Sequence, residues 1–161
     1  MMKSLWIALG VLLATPVYVA KAESTATVAA PDVADEISTA MAPREQLRSF
    51  ILRTLQTTTS GAIISQKLGA EKAASVISYE TDKMVTKYGG EWAAALASAY
   101  RETLSAAELS DALAAVRARD QAKMMPFLLR VGPVMQANAT PLLQKASAEA
   151  LSNAFARPEM K

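Results

Sequence analysis

The chain has 161 residues, 52% of them hydrophobic, with 17 basic and 15 acidic side chains and neither cysteine nor histidine. The two absences remove disulfide scaffolds, thiolate nucleophiles, the commonest general base and most zinc geometries. The near balance of charge offers no clustered basic surface to neutralise phosphates, so nucleic acid is not an expected partner.

Met1-Met2-Lys3 precedes an apolar run from Leu5 to Ala14, and a second patch ends in Ala20-Lys21-Ala22. A basic start, an apolar middle and a small-x-small terminus predict a secretory signal over residues 1–22, cleaved after Ala22. The run falls short of the roughly 20 residues that span a bilayer. Cleavage removes Lys3 and Lys21 and no acid, leaving 15 basic and 15 acidic side chains. A periplasmic product of about 139 residues follows, long enough to bury a single core without staples. Residues 23–42 open with small, polar and β-branched side chains around Pro31 and lack a large apolar period, so they are expected to form a flexible tether outside that core.

The helical domain is expected over residues 43–156. Pro43 suits a first helical turn, and Leu47, Phe50, Ile51 and Leu55 recur at helical spacing. A short segment from Gly61 to Leu68 closes at Gly69. A helix from Glu71 carries Ala73, Val76, Ile77, Met84, Val85 and Tyr88, and Gly89-Gly90 is expected to stop it. Glu91 then opens a helix with the stripe Trp92, Leu96, Ala99, Tyr100 and Thr103, and Leu109, Ala112, Leu113 and Val116 continue the pattern. After the charged stretch RARDQAK, Pro126 and Gly132-Pro133 predict kinks or breaks. Thr140-Pro141 reads as a fresh cap and first-turn proline ahead of Leu143, Ala146, Ala150, Leu151, Ala154 and Phe155. Residues 157–161 form a C-terminal tail. With no period-two strand in sight, the fold class is all-α, a compact bundle of about five to seven helices.

Within TLSAAEL, residues 103–109, Ser105 and Glu108 stand at the spacing of a reciprocal capping box, and Leu104 and Leu109 at that of a hydrophobic staple. A helix start therefore explains this hydroxyl and carboxylate. The same residues, Tyr100-Arg101-Glu102-Thr103-Leu104 followed by Ser105-Ala106-Ala107-Glu108-Leu109, resemble the core of a family of small exported bacterial helical proteins, domain of unknown function 2059. The resemblance runs from about Glu91 to Gln144 and includes Pro126 in MMPFLLR. It departs where the family shows Phe-Tyr-x-Ser-Pro-x-Gly and this chain has Ala115-Val116-Arg117-Ala118-Arg119-Asp120-Gln121. It implies an all-helical periplasmic protein and hands over no catalytic residue.

The remaining route to catalysis is a carboxylate pair acting on cell-wall glycan, with Glu80, Asp82, Glu91, Glu102 and Asp111 as candidates. Each has a plainer role: Glu80 faces Lys83 one turn on, Glu91 suits a helix start, and Glu102 neighbours Arg101. No catalytic, cofactor or metal residue is assigned. The segment Lys123 to Val131 (KMMPFLLRV) sets two methionines and four large apolar side chains beside positive charge. Methionine surfaces adapt to varied partners. Met124, Met125, Phe127, Leu128 and Arg130 are therefore the candidate partner-binding residues, for an envelope protein or an apolar peptide segment. The alternatives are contact with an anionic membrane face, for which Arg117, Arg119, Lys123, Arg130 and Lys145 supply charge, and plain core packing around a kinked helix.

Overall fold

A computed structural model describes residues 32–161, and among these it contains six α-helices and no strand, the all-α bundle expected. The signal segment 1–22, its cleavage after Ala22 and the tether as far as residue 31 lie outside the described residues. Among the described residues no helix is long and apolar enough to cross a membrane.

Residues 33–40 do not belong to a tether. They form α1 (Val33–Ala40), capped by Asp32, whose carboxylate accepts from the Ala34 N–H at 3.0 Å. Ala34 and Ile37 are fully buried, and the Ser38 hydroxyl donates to the Ala93 carbonyl at 2.8 Å. Val33, Ala34, Ile37 and Met41 recur at helical spacing against one cluster, and the small, β-branched composition of residues 23–40 hides that short period. Arg101 ties Asp32 and Asp35 from the far side at 2.7 and 3.5 Å.

α2 (Pro43–Thr57) buries Leu47, Ile51 and Leu55 and places Phe50 near the surface, its ring 5.7 Å from that of Trp92. It passes to α3 (Thr59–Leu68) through the single residue Thr58, whose hydroxyl donates to Leu55 O and accepts from Gly61 N. The junction is so tight that a Cβ at Gly61 would lie 1.8 Å from the Leu55 carbonyl oxygen. Gly69 closes α3 at φ 80°, the role its position predicts.

Two long helices make the frame: α4 (Ala70–Thr103) and α6 (Gln121–Phe155) run antiparallel for about 50 Å and share the largest interface. The expected stop at Gly89-Gly90 does not occur. Met84 and Tyr88 before the glycines and Trp92 and Leu96 after them bury into one cluster, so a break would split a continuous apolar stripe. Gly89 instead permits close packing: a Cβ there would stand 3.2 Å from Arg44 Cγ on α2. Nor does α6 break at Pro126, at Gly132-Pro133 or before Pro141, all of which lie inside it. Thr140 caps nothing, and its hydroxyl donates back to Gln136 O at 2.6 Å within the helix.

α5 (Ala106–Arg117) bridges the two long helices, and its start is the capping box read from the sequence: Ser105 N donates to Glu108 Oε2 at 2.8 Å and Glu108 N donates to Ser105 Oγ at 3.4 Å. Leu104 and Leu109 are both buried, completing the staple. The C-terminal residues are not a free tail. Met160, in a 3₁₀ turn (Pro158–Met160), is buried with Ile64, Ala73, Val76 and Ala154, and Lys67 donates to its carbonyl at 2.9 Å. Three apolar clusters thus stack along the frame, with Met135 packing against the first two and Leu151 against the last two.

Candidate functional site

The turn from α5 to α6 organises the surface around the predicted segment. Arg119 N–H donates to Val116 O at 3.0 Å and Asp120 N–H to Ala115 O at 2.9 Å, the paired bonds of a Schellman closure. That closure puts the residue after the C-cap in the left-handed region, usually a glycine; here it is Arg119, at φ 54°. Asp120 then caps α6 by accepting from Lys123 N at 3.1 Å, and its side chain also pairs with Lys123 Nζ at 3.4 Å. The Lys123 N–H and ammonium hold its carboxyl below the usual carboxylate range against the opposing effect of burial.

Two grooves flank this turn. One, of about 560 Å³, is lined by Met41, Val116, Arg119, Met124, Met125 and Leu128 among others. Its wall is built from the end of α1, the end of α5 and the first two turns of α6. The other, of about 540 Å³, runs between α5 and α6 past Asp111, Lys123 and Phe127.

The five candidate residues therefore part company. Met124 is only 7% exposed and sits in the apolar cluster with Tyr100, Leu113 and Val131, so its place as a surface contact is corrected: it floors the groove and belongs to the core. Phe127 and Leu128 are half-buried against the same cluster and point into different grooves. Met125, 53% exposed, is open to a partner, and one turn further Leu129 is 72% exposed, the most open large apolar side chain among the described residues. Arg130 is committed elsewhere: it donates to the Glu108 carboxylate and, at 3.0 Å, to the Thr103 carbonyl that ends α4. Helical geometry explains this division: Phe127 and Leu128, three and four residues on, flank the face that Met124 turns to the core, while Met125 and Arg130 turn outward.

Sequence reasoning missed Met41 and named Arg119 only among the cations of a membrane face, not as part of this groove. Met41 was hidden because α1 was assigned to the tether; its sulfur accepts from the buried Tyr100 hydroxyl at 3.2 Å. The signal for Arg119 is the absence of glycine where α5 must close.

The other charged groups are accounted for by structure. Arg117 pairs with Glu36, Lys123 with Asp120 and Arg130 with Glu108, while Lys145 lies 5.3 Å from the centre of the Tyr88 ring. Among the described residues no carboxylate lies within ion-pair reach of Arg119. Of the candidate carboxylates, Asp82 pairs with Arg48 at 2.7 Å, Glu102 accepts from Ser98 at 2.6 Å and not from Arg101, and Asp111 lines the second groove. Glu80, 2% exposed, receives Arg157 twice, at 2.8 and 3.0 Å, and Lys83 at 3.1 Å. Burial pushes its carboxyl up, but those cations outweigh burial and leave it below the usual range. A general acid needs the opposite shift. Among the described residues no group of three or more Asp and Glu side chains is placed to hold a metal.

Comparisons with protein-family models, with curated proteins and with solved structures return no match.

Proposed function

We propose that this chain is a non-enzymatic helical protein of the bacterial envelope, exported to the periplasm, that holds an apolar segment of another envelope protein against the start of α6. The observation that carries this reading is the methionine-lined groove continued by Met125 and Leu129 into an exposed apolar strip. Thioether side chains are unbranched and flexible, so such a floor conforms to varied apolar surfaces at little cost. An amphipathic helix laid in a groove is the recurring mode for a strip of this kind. The basic start and short apolar run of residues 1–22 support export.

Adsorption to an anionic membrane face is less well supported, because three of the five cations on which it rests are already paired with carboxylates. A carboxylate mechanism is disfavoured too, since Glu80 is locked between Arg157 and Lys83.

The test is photo-crosslinking in living cells with the reactive group at Met125. A dominant protein adduct that disappears in the Leu129→Asp variant is the expected result. Adducts confined to the chain itself, or to lipid, would remove the proposal.

A further inference from the structure

Resting on the groove reading above, the geometry points to an acidic amphipathic helix as the occupant, its carboxylate meeting Arg119 while its apolar stripe covers Met125, Leu128 and Leu129. Three features converge. First, of the arginines and lysines from Arg117 to Arg130, Arg119 is the one without a carboxylate partner among the described residues, and it stands on the wall of an apolar groove. Asp120, beside it, is spent on Lys123 and on capping α6, so among the described residues the rim carries one uncompensated positive charge. Second, Arg119 occupies a left-handed position where glycine would serve the Schellman closure better. Ala42 is the other non-glycine residue at positive φ among the described residues, and its neighbour Met41 lines the same groove. A side chain kept where the backbone prefers none points to a role beyond folding. Third, the apolar surface continues past the groove to Leu129, one turn beyond Met125, which suits an elongated occupant better than a compact small molecule.

The probe is a fluorescein-labelled, helix-forming peptide of about 18 residues with leucines at i, i+3, i+4 and i+7 and a glutamate at the edge of the stripe. Twins carry glutamine or lysine in its place. Anisotropy titrations of the full chain at low salt are expected to rank glutamate above glutamine above lysine, with about threefold between the first two. Arg119→Gln should bring the three affinities together, and Arg119→Glu should invert their order, while thermal melts confirm an intact fold. Such a charge swap isolates the pair from any general effect of the substitution. Equal binding of all three peptides to the wild type, lost in Leu129→Asp, overturns the acidic partner and leaves the groove reading standing. No binding of any peptide overturns both. A concentration-dependent dimer that Leu129→Asp dissolves overturns it as well, by making a second copy of the chain the occupant.

Discussion

Glu108 serves two helices and the end of a third with one carboxylate. Arg130 donates to one oxygen, and the Ser105 N–H and hydroxyl donate to the other at 2.8 and 2.9 Å, while the same guanidinium reaches back to the last turn of α4. Arg130 first, and then the two Ser105 groups, hold the Glu108 pKa at about 2, well below its ordinary 4.5. A carboxyl depressed in the folded state stabilises fully above its unfolded value and loses that contribution as protons bind. Thermal stability should therefore fall as pH drops from about 4.5 toward 2, and Glu108→Gln should flatten that part of the profile. Parallel wild-type and variant curves across this range would refute the assignment. The local pattern S-x-x-E made the capping half of this constellation readable. The Arg130 half was not, because its partner lies 22 residues away and only the angle between α5 and α6 brings the two together.

At the scale of elements, burial stripes proved readable, as did the helix ends at Gly69 and Ser105, whereas the ends inferred at Gly89-Gly90 and at the prolines of α6 did not occur. Leu47, Ile51 and Leu55, then Val76, Ile77 and Met84, then Trp92, Leu96 and Tyr100 are all buried as their spacing predicts. Glycine and proline misled because each serves two purposes, and packing against a neighbour selects between them. Gly89 and Gly61 are both contact glycines, yet only the contact at Gly61 is backbone. There Gly61→Ala drives a methyl into the Leu55 carbonyl, and we expect a loss of about 2 kcal/mol or more in denaturant unfolding. At Gly90, where a Cβ meets nothing within 4 Å inside a regular helix, alanine should instead stabilise by about 0.5–1 kcal/mol. Equal effects at the two sites would show that the α2–α3 junction relaxes freely. Met125 could be singled out beforehand because its composition is local, whereas Met41 reaches the groove only through the docking of α1.

For the molecule as a whole, α1 and the final turn extend the folded unit beyond residues 43–156 at both ends. Ala34 and Ile37 close the first apolar cluster against Tyr100 and Leu104, and Glu36 holds Arg117 at the end of α5. A chain beginning at Asp32 should keep the unfolding profile of the described fold. One beginning at Pro43 should lose about 3 kcal/mol or more, since it uncovers that cluster and removes the Ser38 bond to α4. Matching midpoints for the two chains in urea would return α1 to the status of an appendage.

The three prolines inside α6 have a consequence for motion. Each deletes one rung of the backbone ladder, so the carbonyls of Ala122, Leu129 and Ala137 have no amide one turn ahead to bind, and all three rings lie on the exposed side. α4, of nearly equal length, contains no proline and keeps its ladder whole. The frame is therefore a stiff rod clasped by a jointed one. Amide exchange should be slow and uniform through the middle of α4 but interrupted along α6, whose first joint, at Pro126, stands between Met125 and Leu128. Fast exchange confined to the first turns of α6 would show a groove floor hinged at that point and able to tilt without the rest of the bundle opening.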